Sequence, residues 1–447
     1  MNTPICDFVR RYCDSSALRL HMPGHKGTGI FGVEHLDITE IDGADSLYEA
    51  DGIISQSERN ASTLFASETF YSTEGSSQCI RAMLYLATQY AKQCGKKPLI
   101  AAARNVHKTF LSAAALLDFD VMWLYPKQPD SYLSCRLEGD NLDEILSQTA
   151  EKPTALYLTS PDYLGNLADI STIGKVCRRH GILLLVDNAH GAYLRFLQPS
   201  LHPIDLGADI CCDSAHKTLP VLTGGAYLHI SKEAPRMLVE QAKNALALFG
   251  STSPSYLILQ SLDAANKYLA QGYSDKLAAF IPEVEKRKSI LTDHGYSLRG
   301  DEPLKITISA KPYGYDGRQL AARLLEKNIV CEFADPDFVV LMLTHEIGIS
   351  GLNRLEEALL SIPKGEPAKE KPPVFHPCAS AMSIREAAFS LCETVPVQES
   401  SGRILAAACV GCPPAVPIVI CGERIDEAAV RCFCYYGIET CTVVVPR

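Results

Sequence analysis

Between residues 98 and 230 the chain alternates short β-branched or apolar runs with segments of helical period, and this alternation constrains its fold more than any other feature. The runs are LIAAA, VMWLY, TALYLTS, ILLLVD, ICCDS and GAYLHI. Strands that read as near-continuous apolar stretches are buried on both faces, so the pattern specifies a mostly parallel sheet flanked by helices. Between TALYLTS and ILLLVD, Ile170, Ile173, Val176 and Cys177 recur at helical spacing and Gly181 terminates the run, giving one βαβ crossover. A second helix is predicted to begin after the small polar cluster Gly75, Ser76, Ser77, because Ile80, Met83, Leu84, Leu86 and Ala87 follow at helical spacing up to Gly95.

A length of 447 residues implies several domains. The expected organisation is an N-terminal segment (1–50), a large α/β domain (51–248), a smaller α/β domain (249–362), a Pro- and charge-rich linker (363–373) and a C-terminal unit (374–447). With 47% apolar and 21% charged residues, disorder, collagen and coiled coil are excluded for the chain as a whole. The formal net charge of -10 gives no overall attraction for phosphate backbones or anionic lipid, so neither nucleic acid nor a membrane is an expected partner. The N-terminus lacks the apolar core of a secretory signal, and the longest uncharged run, Ile404 to Cys421, is interrupted by Pro413, Pro414 and Pro417. Seventeen cysteines without such a signal read as reduced thiols in the cytoplasm. Cys409 and Cys412 form a CxxC and Cys432 and Cys434 a CxC, but a clean second CxxC is missing, so no metal is expected.

The chemistry concentrates at the carboxyl ends of the expected strands, where open α/β sheets bind their ligands. Lys217 follows ICCDS; Asp187 ends ILLLVD, with His190 in the next turn; His107 follows LIAAA. A buried strand ending in a carboxylate calls for a cationic partner. A lysine able to attack a carbonyl and a carboxylate needing a ring cation are two requirements of pyridoxal 5'-phosphate, and Gly75, Ser76 and Ser77 at a helix start supply a third, a phosphate cradle. GHKGTG, from Gly24 to Gly29, has neither Rossmann nor Walker spacing and reads as a glycine-permitted loop.

RLHMPGHKG, ARNVHKT, TSPDYLGNLADI, LLVDNAHGA and CDSAHKTLPVLTGGAYLHI together resemble the bacterial ornithine/lysine/arginine decarboxylases, fold-type I pyridoxal-phosphate enzymes. The likeness continues into GSTSPSYLILQSLDAA and, more faintly, into ESSGRI and CPPAVPIVICGE. It implies an α/β fold: a fold-type I transferase-like large domain, a smaller α/β domain and a C-terminal α+β unit. It implies decarboxylation of lysine, ornithine or arginine, with Lys217 as the Schiff-base lysine, Asp187 as partner of the pyridinium nitrogen and His107 stacked on the ring. Ser76, Ser77, Ser214 and His216 fall on phosphate-binding positions, and Thr252 on one that reaches the phosphate from a neighbouring subunit, which implies a homodimer with shared sites. The start of the chain resembles the short form, without the wing domain of larger members.

The sequence also departs from the family pattern. Asn188 stands for an acid, Tyr193 for a histidine, Asp162 for a threonine, and Cys412, Ala415 and Cys421 for an aromatic, a glycine and a proline. Cofactor positions are kept while positions around the substrate differ. For the substrate's distal cation the loop carboxylates Asp42, Asp45, Asp162, Glu332 and Asp335 are candidates. Two rival readings stand beside this one: another fold-type I reaction, such as an aminotransferase or lyase, and a cofactor-binding homologue without turnover. An aminotransferase clamp would draw on Arg318 or Arg323, which lie in no matching motif.

Overall fold

The computed structural model describes residues 1–127, 131–374, 376–407 and 414–446. In chain order the strands are β1 (Glu68–Ser72), β2 (Leu99–Ala103), β3 (Asp120–Leu124), β4 (Ala155–Thr159), β5 (Leu183–Asp187), β6 (Ile210–Asp213) and β7 (Ala226–Ile230). They continue with β8 (Ser297–Arg299), β9 (Lys305–Ser309), β10 (Phe333–Ala334), β11 (Phe338–Met342), β12 (Cys392–Pro396) and β13 (Thr440–Val444). The first seven form one sheet in the order β1-β7-β6-β5-β4-β2-β3. The six apolar runs of the sequence are therefore strands, as their composition predicts. Among the described residues no helix is long and apolar enough to cross a membrane.

The chain divides into two compact units, one of Met1–Lys96, Thr154–Leu156 and Ile170–Leu277, the other of Lys97–Pro153, Tyr157–Asp169 and Ala278–Arg447. In the first unit every residue of β5 is buried, and β5 runs parallel to β6 with Asp187 opposite Cys212. β7 departs from the parallel direction: it is antiparallel to β6, with Asp213 opposite Tyr227. The link from β6 to β7 carries only the four-residue helix Ala215–Thr218, too little to cross the sheet face and return in parallel, so the chain doubles back. β1 adds antiparallel to β7 at the edge. Its sequence, ETFYS, lacks the apolar run that marks the other strands. Beneath these strands Phe65 gathers an aromatic cluster, its ring centroid 4.5 Å from His229, 5.1 Å from Tyr227 and 5.5 Å from Phe196.

In the second unit β2 and β3 are parallel, and KITIS forms the fully buried β9 of an antiparallel sheet in the order β10-β11-β9-β8. The C-terminal segment contributes the pair β12-β13 and the helix Glu427–Tyr436, whose N-terminus is capped by the Asp426 carboxylate. Leu405, Ile425, Phe433 and Val443 from this segment join Leu133, Tyr163 and Val340 in one apolar core. Pro363–Pro373 contains neither helix nor strand.

Candidate functional site

The helix Gly75–Gln93 starts a few residues earlier than the sequence places it and takes the Gly75, Ser76, Ser77 cluster into its first turn. Its cap residue, Glu74, makes no side-chain capping bond. Gly75 has φ 71°, which a side chain rarely adopts, and its N–H donates to the Gly224 carbonyl at 2.8 Å. A Cβ on Gly75 would meet only His216 Cε1, at 4.0 Å, so the space above the helix start is open. Ser76 and Ser77 occupy the first turn, where the N–H groups have no partner within the helix and the dipole is positive. Ser214, directly after β6, donates its hydroxyl to Ser76 Oγ at 2.8 Å across 138 positions of sequence.

Lys217 lies in the short helix after β6, its N–H donating to the Ser214 carbonyl at 3.0 Å. Its Nζ is 2.9 Å from His190 Nε2. His190 sits in the turn after β5, closed by the Gly191 N–H donating to the Asn188 carbonyl at 2.8 Å. A Cβ on Gly191 would lie 2.0 Å from Asn188 Oδ1, so this turn requires glycine. Neighbouring His216 hydrogen-bonds through Nδ1 to the Gly225 carbonyl at 2.9 Å, and burial pushes its ring below the ordinary histidine value. The ring is therefore neutral at pH 7 with its proton on Nδ1, leaving the Nε2 lone pair as an acceptor. Asp187, 2% exposed, accepts the Ala189 N–H at 3.2 Å and faces the Cys212 thiol at 3.8 Å. Burial, with the Asp187 charge second, drives that thiol well up, so it stays protonated. Thr252 is exposed on the loop before the helix Tyr256–Ala270.

Sequence reasoning missed the polar network beneath these residues. Asp213, fully buried at the end of β6, accepts the Asn188 amide on Oδ1 at 2.7 Å. Its Oδ2 is met by His202 Nε2 at 3.1 Å and His229 Nε2 at 3.2 Å. Burial opposes the charge on Asp213, but the two imidazoles outweigh it and hold the carboxyl far below its usual range. His229 is completed by Thr69, whose hydroxyl lies 2.9 Å from Nδ1. The one signal in the sequence was an aspartate closing an apolar strand four residues before Lys217. Donor atoms of His202, Cys211 and Asp213 lie within 4.8 Å of one another, the one cluster of metal-ligand type among the described residues. His202 Nε2 and Asp213 Oδ2 are already engaged with each other. Cys409 and Cys412 lie outside the described residues; Cys432 is buried in the C-terminal core, where burial raises its thiol, and Cys434 is exposed.

In the second unit His107 caps the helix Lys108–Leu117, Nδ1 accepting the Thr109 N–H at 3.1 Å with the Thr109 hydroxyl at 2.8 Å. Three residues earlier, buried Arg104 donates to the Pro417 and Ile418 carbonyls at 2.9 and 2.8 Å and lies 3.7 Å from Glu423. Lys108 N–H donates to the Ala415 carbonyl at 2.7 Å, so the C-terminal segment is tied to the loop that carries His107.

Several carboxylates considered for the substrate's distal group serve their own loops. Asp45 accepts the N–H groups of Asp51, Gly52, Ile54 and Ser55 at the start of the helix Ile53–Phe65. Asp162, 3% exposed, accepts the Leu164 and Asn166 N–H groups and the Asn166 amide. Asp335 accepts the Asp337 and Phe338 N–H groups, and burial raises it to about 6. Glu332 accepts the Tyr163 hydroxyl, and Asp42 is exposed. Arg318 donates to the Tyr436 carbonyl, and Arg323 pairs with Glu326 on the same stretch of chain.

The profile described as "Orn/Lys/Arg decarboxylase, major domain" matches residues 3–299, and that of the "Orn/Lys/Arg decarboxylase, C-terminal domain" matches residues 373–439. An arginine decarboxylase of Bacillus subtilis is 29% identical over 458 residues, covering 95% of this chain and 91% of its own. Among solved structures, the lysine decarboxylase LdcF of Francisella novicida superposes with a TM-score of 0.81 at 17% identity, over 99% of this chain and 81% of that one. An alanine–glyoxylate aminotransferase of Nostoc shares the fold at a TM-score of 0.55 and 18% identity, over 69% and 85% of the two chains.

Proposed function

The chain belongs to the ornithine/lysine/arginine decarboxylase family of pyridoxal-phosphate-dependent carboxy-lyases, and from that premise we propose that it converts a basic amino acid to its amine and CO2, with Lys217, Asp187 and His107 as catalytic residues. The observation that carries this reading is the arrangement in the first unit. A lysine bonded to His190, a hydroxyl pair at an uncapped helix start and a buried carboxylate all sit at the ends of adjacent strands or helices.

These residues fit the cofactor. The open space over Gly75, the first-turn amides of Ser76 and Ser77 and the Ser76–Ser214 hydroxyl pair would suit a phosphate dianion. Asp187, a carboxylate buried at a strand end, would suit a protonated ring nitrogen. When bound, pyridoxal 5'-phosphate supplies an aldehyde for the amino group and an electron sink for the bond that loses CO2.

The rest falls to the chain's own groups. Lys217 would hold the cofactor through its amine, and His190 Nε2, 2.9 Å from Nζ, is placed to take the proton that the amine must shed. The same amine would be the group to deliver a proton to the substrate's α-carbon after CO2 is lost. His107, its ring fixed through Nδ1, would stack on the cofactor ring, as the family resemblance implies, and would exclude water there. Thr252, exposed on its loop, would reach the phosphate of a second copy, as the family resemblance implies, and the proposed working form is a homodimer. The reading places the enzyme in the cytoplasm, in polyamine biosynthesis.

The test is absorbance of the purified protein with added cofactor, for wild type and Lys217→Ala, followed by CO2 and amine detection on arginine, lysine and ornithine. Arginine comes first because the Bacillus subtilis relative is named for it. A visible cofactor band lost in Lys217→Ala, with CO2 from one of the three, supports the proposal. No band in wild type overturns the residue assignment; a band without CO2 overturns the substrate class.

A further inference from the structure

Fully buried Asp213 joins the two strand ends that carry the chemistry assigned to Lys217 and Asp187. It closes β6 directly before Ser214, whose hydroxyl donates to Ser76 Oγ and whose carbonyl accepts the Lys217 N–H. Its Oδ1 accepts the Asn188 amide at 2.7 Å, and Asn188 directly follows Asp187 at the end of β5. The Asn188 side chain packs into the turn that carries His190: a Cβ on Gly191 would lie 2.0 Å from Asn188 Oδ1, and His190 Nε2 lies 2.9 Å from Lys217 Nζ.

The carboxylate is itself held from the far side. Its Oδ2 takes His202 Nε2 at 3.1 Å and His229 Nε2 at 3.2 Å. Thr69, opposite His229 in the pairing of β1 with β7, places its hydroxyl 2.9 Å from His229 Nδ1. Side-chain hydrogen bonds therefore run across the sheet, from β1 through β7 and β6 to the end of β5. A buried network of this kind, with charge-assisted bonds at its centre, fixes its members in one arrangement. Tyr227 and Cys79 also feel the Asp213 charge, but burial raises the phenol and pushes the thiol up to about 12, so both are neutral at pH 7. The two imidazoles keep Asp213 ionised, so it is the anion among these groups.

The sequence points the same way. At position 188 the family pattern carries an acid and this chain an asparagine, whose amide meets a carboxylate one strand away. The negative charge is kept but sits on β6. We infer that Asp213 is a positioning residue for the cofactor: through the Asn188 amide it sets the turn that carries His190 against Lys217, and it takes over the charge that the family pattern places at 188. The inference rests on the reading of Lys217 and Asp187 as cofactor residues.

The test titrates the purified full chain with pyridoxal 5'-phosphate and reads two quantities apart from turnover, cofactor affinity by fluorescence and the pH midpoint of the visible cofactor band. Asp213→Asn and Asn188→Ala should each weaken affinity about tenfold, the worth of one charge-assisted hydrogen bond. Asp213→Asn should also lower the midpoint by about half a pH unit, because it removes a negative charge that favours the protonated form, whereas Asn188→Ala keeps the carboxylate and should move it less. In the double change Asn188→Asp with Asp213→Asn, the new amide keeps its oxygen on the two imidazoles and turns its N–H to the new carboxylate, so most of both losses should be recovered. Asn188→Ala and the double change carry the comparison where Asp213→Asn fails to fold. Variants that melt earlier but keep wild-type affinity and midpoint make Asp213 a structural anchor alone and overturn the inference. So does a double change that binds the cofactor no better than the poorer single variant. A wild type without a visible band overturns the underlying reading, and the inference with it.

Discussion

Replacing Asp213 by asparagine tests whether the network under the lysine is a structural anchor. The carboxylate accepts Asn188 on one oxygen and two imidazoles on the other, with no solvent contact. An asparagine has one acceptor oxygen, so its Nδ2 must face either the Asn188 amide or the two imidazole N–H groups. The cheaper flip keeps the histidines and loses the Asn188 bond, a charge-assisted contact of ~1.5–3 kcal/mol, and leaves a buried unsatisfied donor costing about 1–3 kcal/mol more. The expected loss is therefore about 3–5 kcal/mol, or a melting temperature lower by about 10 °C for a unit of this size. Because the folded pKa lies below the unfolded one, this stability is present above about pH 4 and is lost as pH falls through the folded value. Denaturant midpoints of wild type and variant should thus differ fully at pH 7.5 and converge in acid. A difference under about 1 kcal/mol at pH 7.5, less than one such hydrogen bond, would refute the reasoning.

Asp335 carries the opposite sign. Burial raises it to about 6, so its contribution to stability is present below the unfolded value near ~4 and lost as pH rises through 6. Asp335→Asn should match wild type at low pH and be up to about 3 kcal/mol more stable at pH 8, measured by chemical unfolding at both. Arg104→Met should destabilise by about 3–5 kcal/mol, because it strands Glu423 and two carbonyls. Adding Glu423→Gln should recover part of that loss in the same melts. Ser76→Ala removes one hydroxyl of the pair with Ser214 and should weaken cofactor affinity about five- to tenfold, roughly one hydrogen bond, read by fluorescence titration.

Local pattern was enough to find β2 to β7, the helix through Ile80 to Ala87, and Lys217 and Asp187 at strand ends, because strand burial and helical period are short-range properties of sequence. The same short range hid β1, whose mixed ETFYS run is held as a strand by pairing with β7, and the antiparallel turn into β7. It also left the carboxylates unranked: Asp45, Asp162 and Asp335 look alike in sequence, and only the folded turns show at least one oxygen of each taken by nearby backbone N–H groups.

What the sequence determined by itself was the class of sheet, the places of Lys217 and Asp187 at strand ends, and the family. What only the tertiary structure decided was which distant groups meet: Lys217 with His190, Ser76 with Ser214, and Asp213 with His202 and His229. Hydrogen bonds of this kind depend on separations of a few ångströms set by strand register and turn geometry, and residue order along the chain does not encode them.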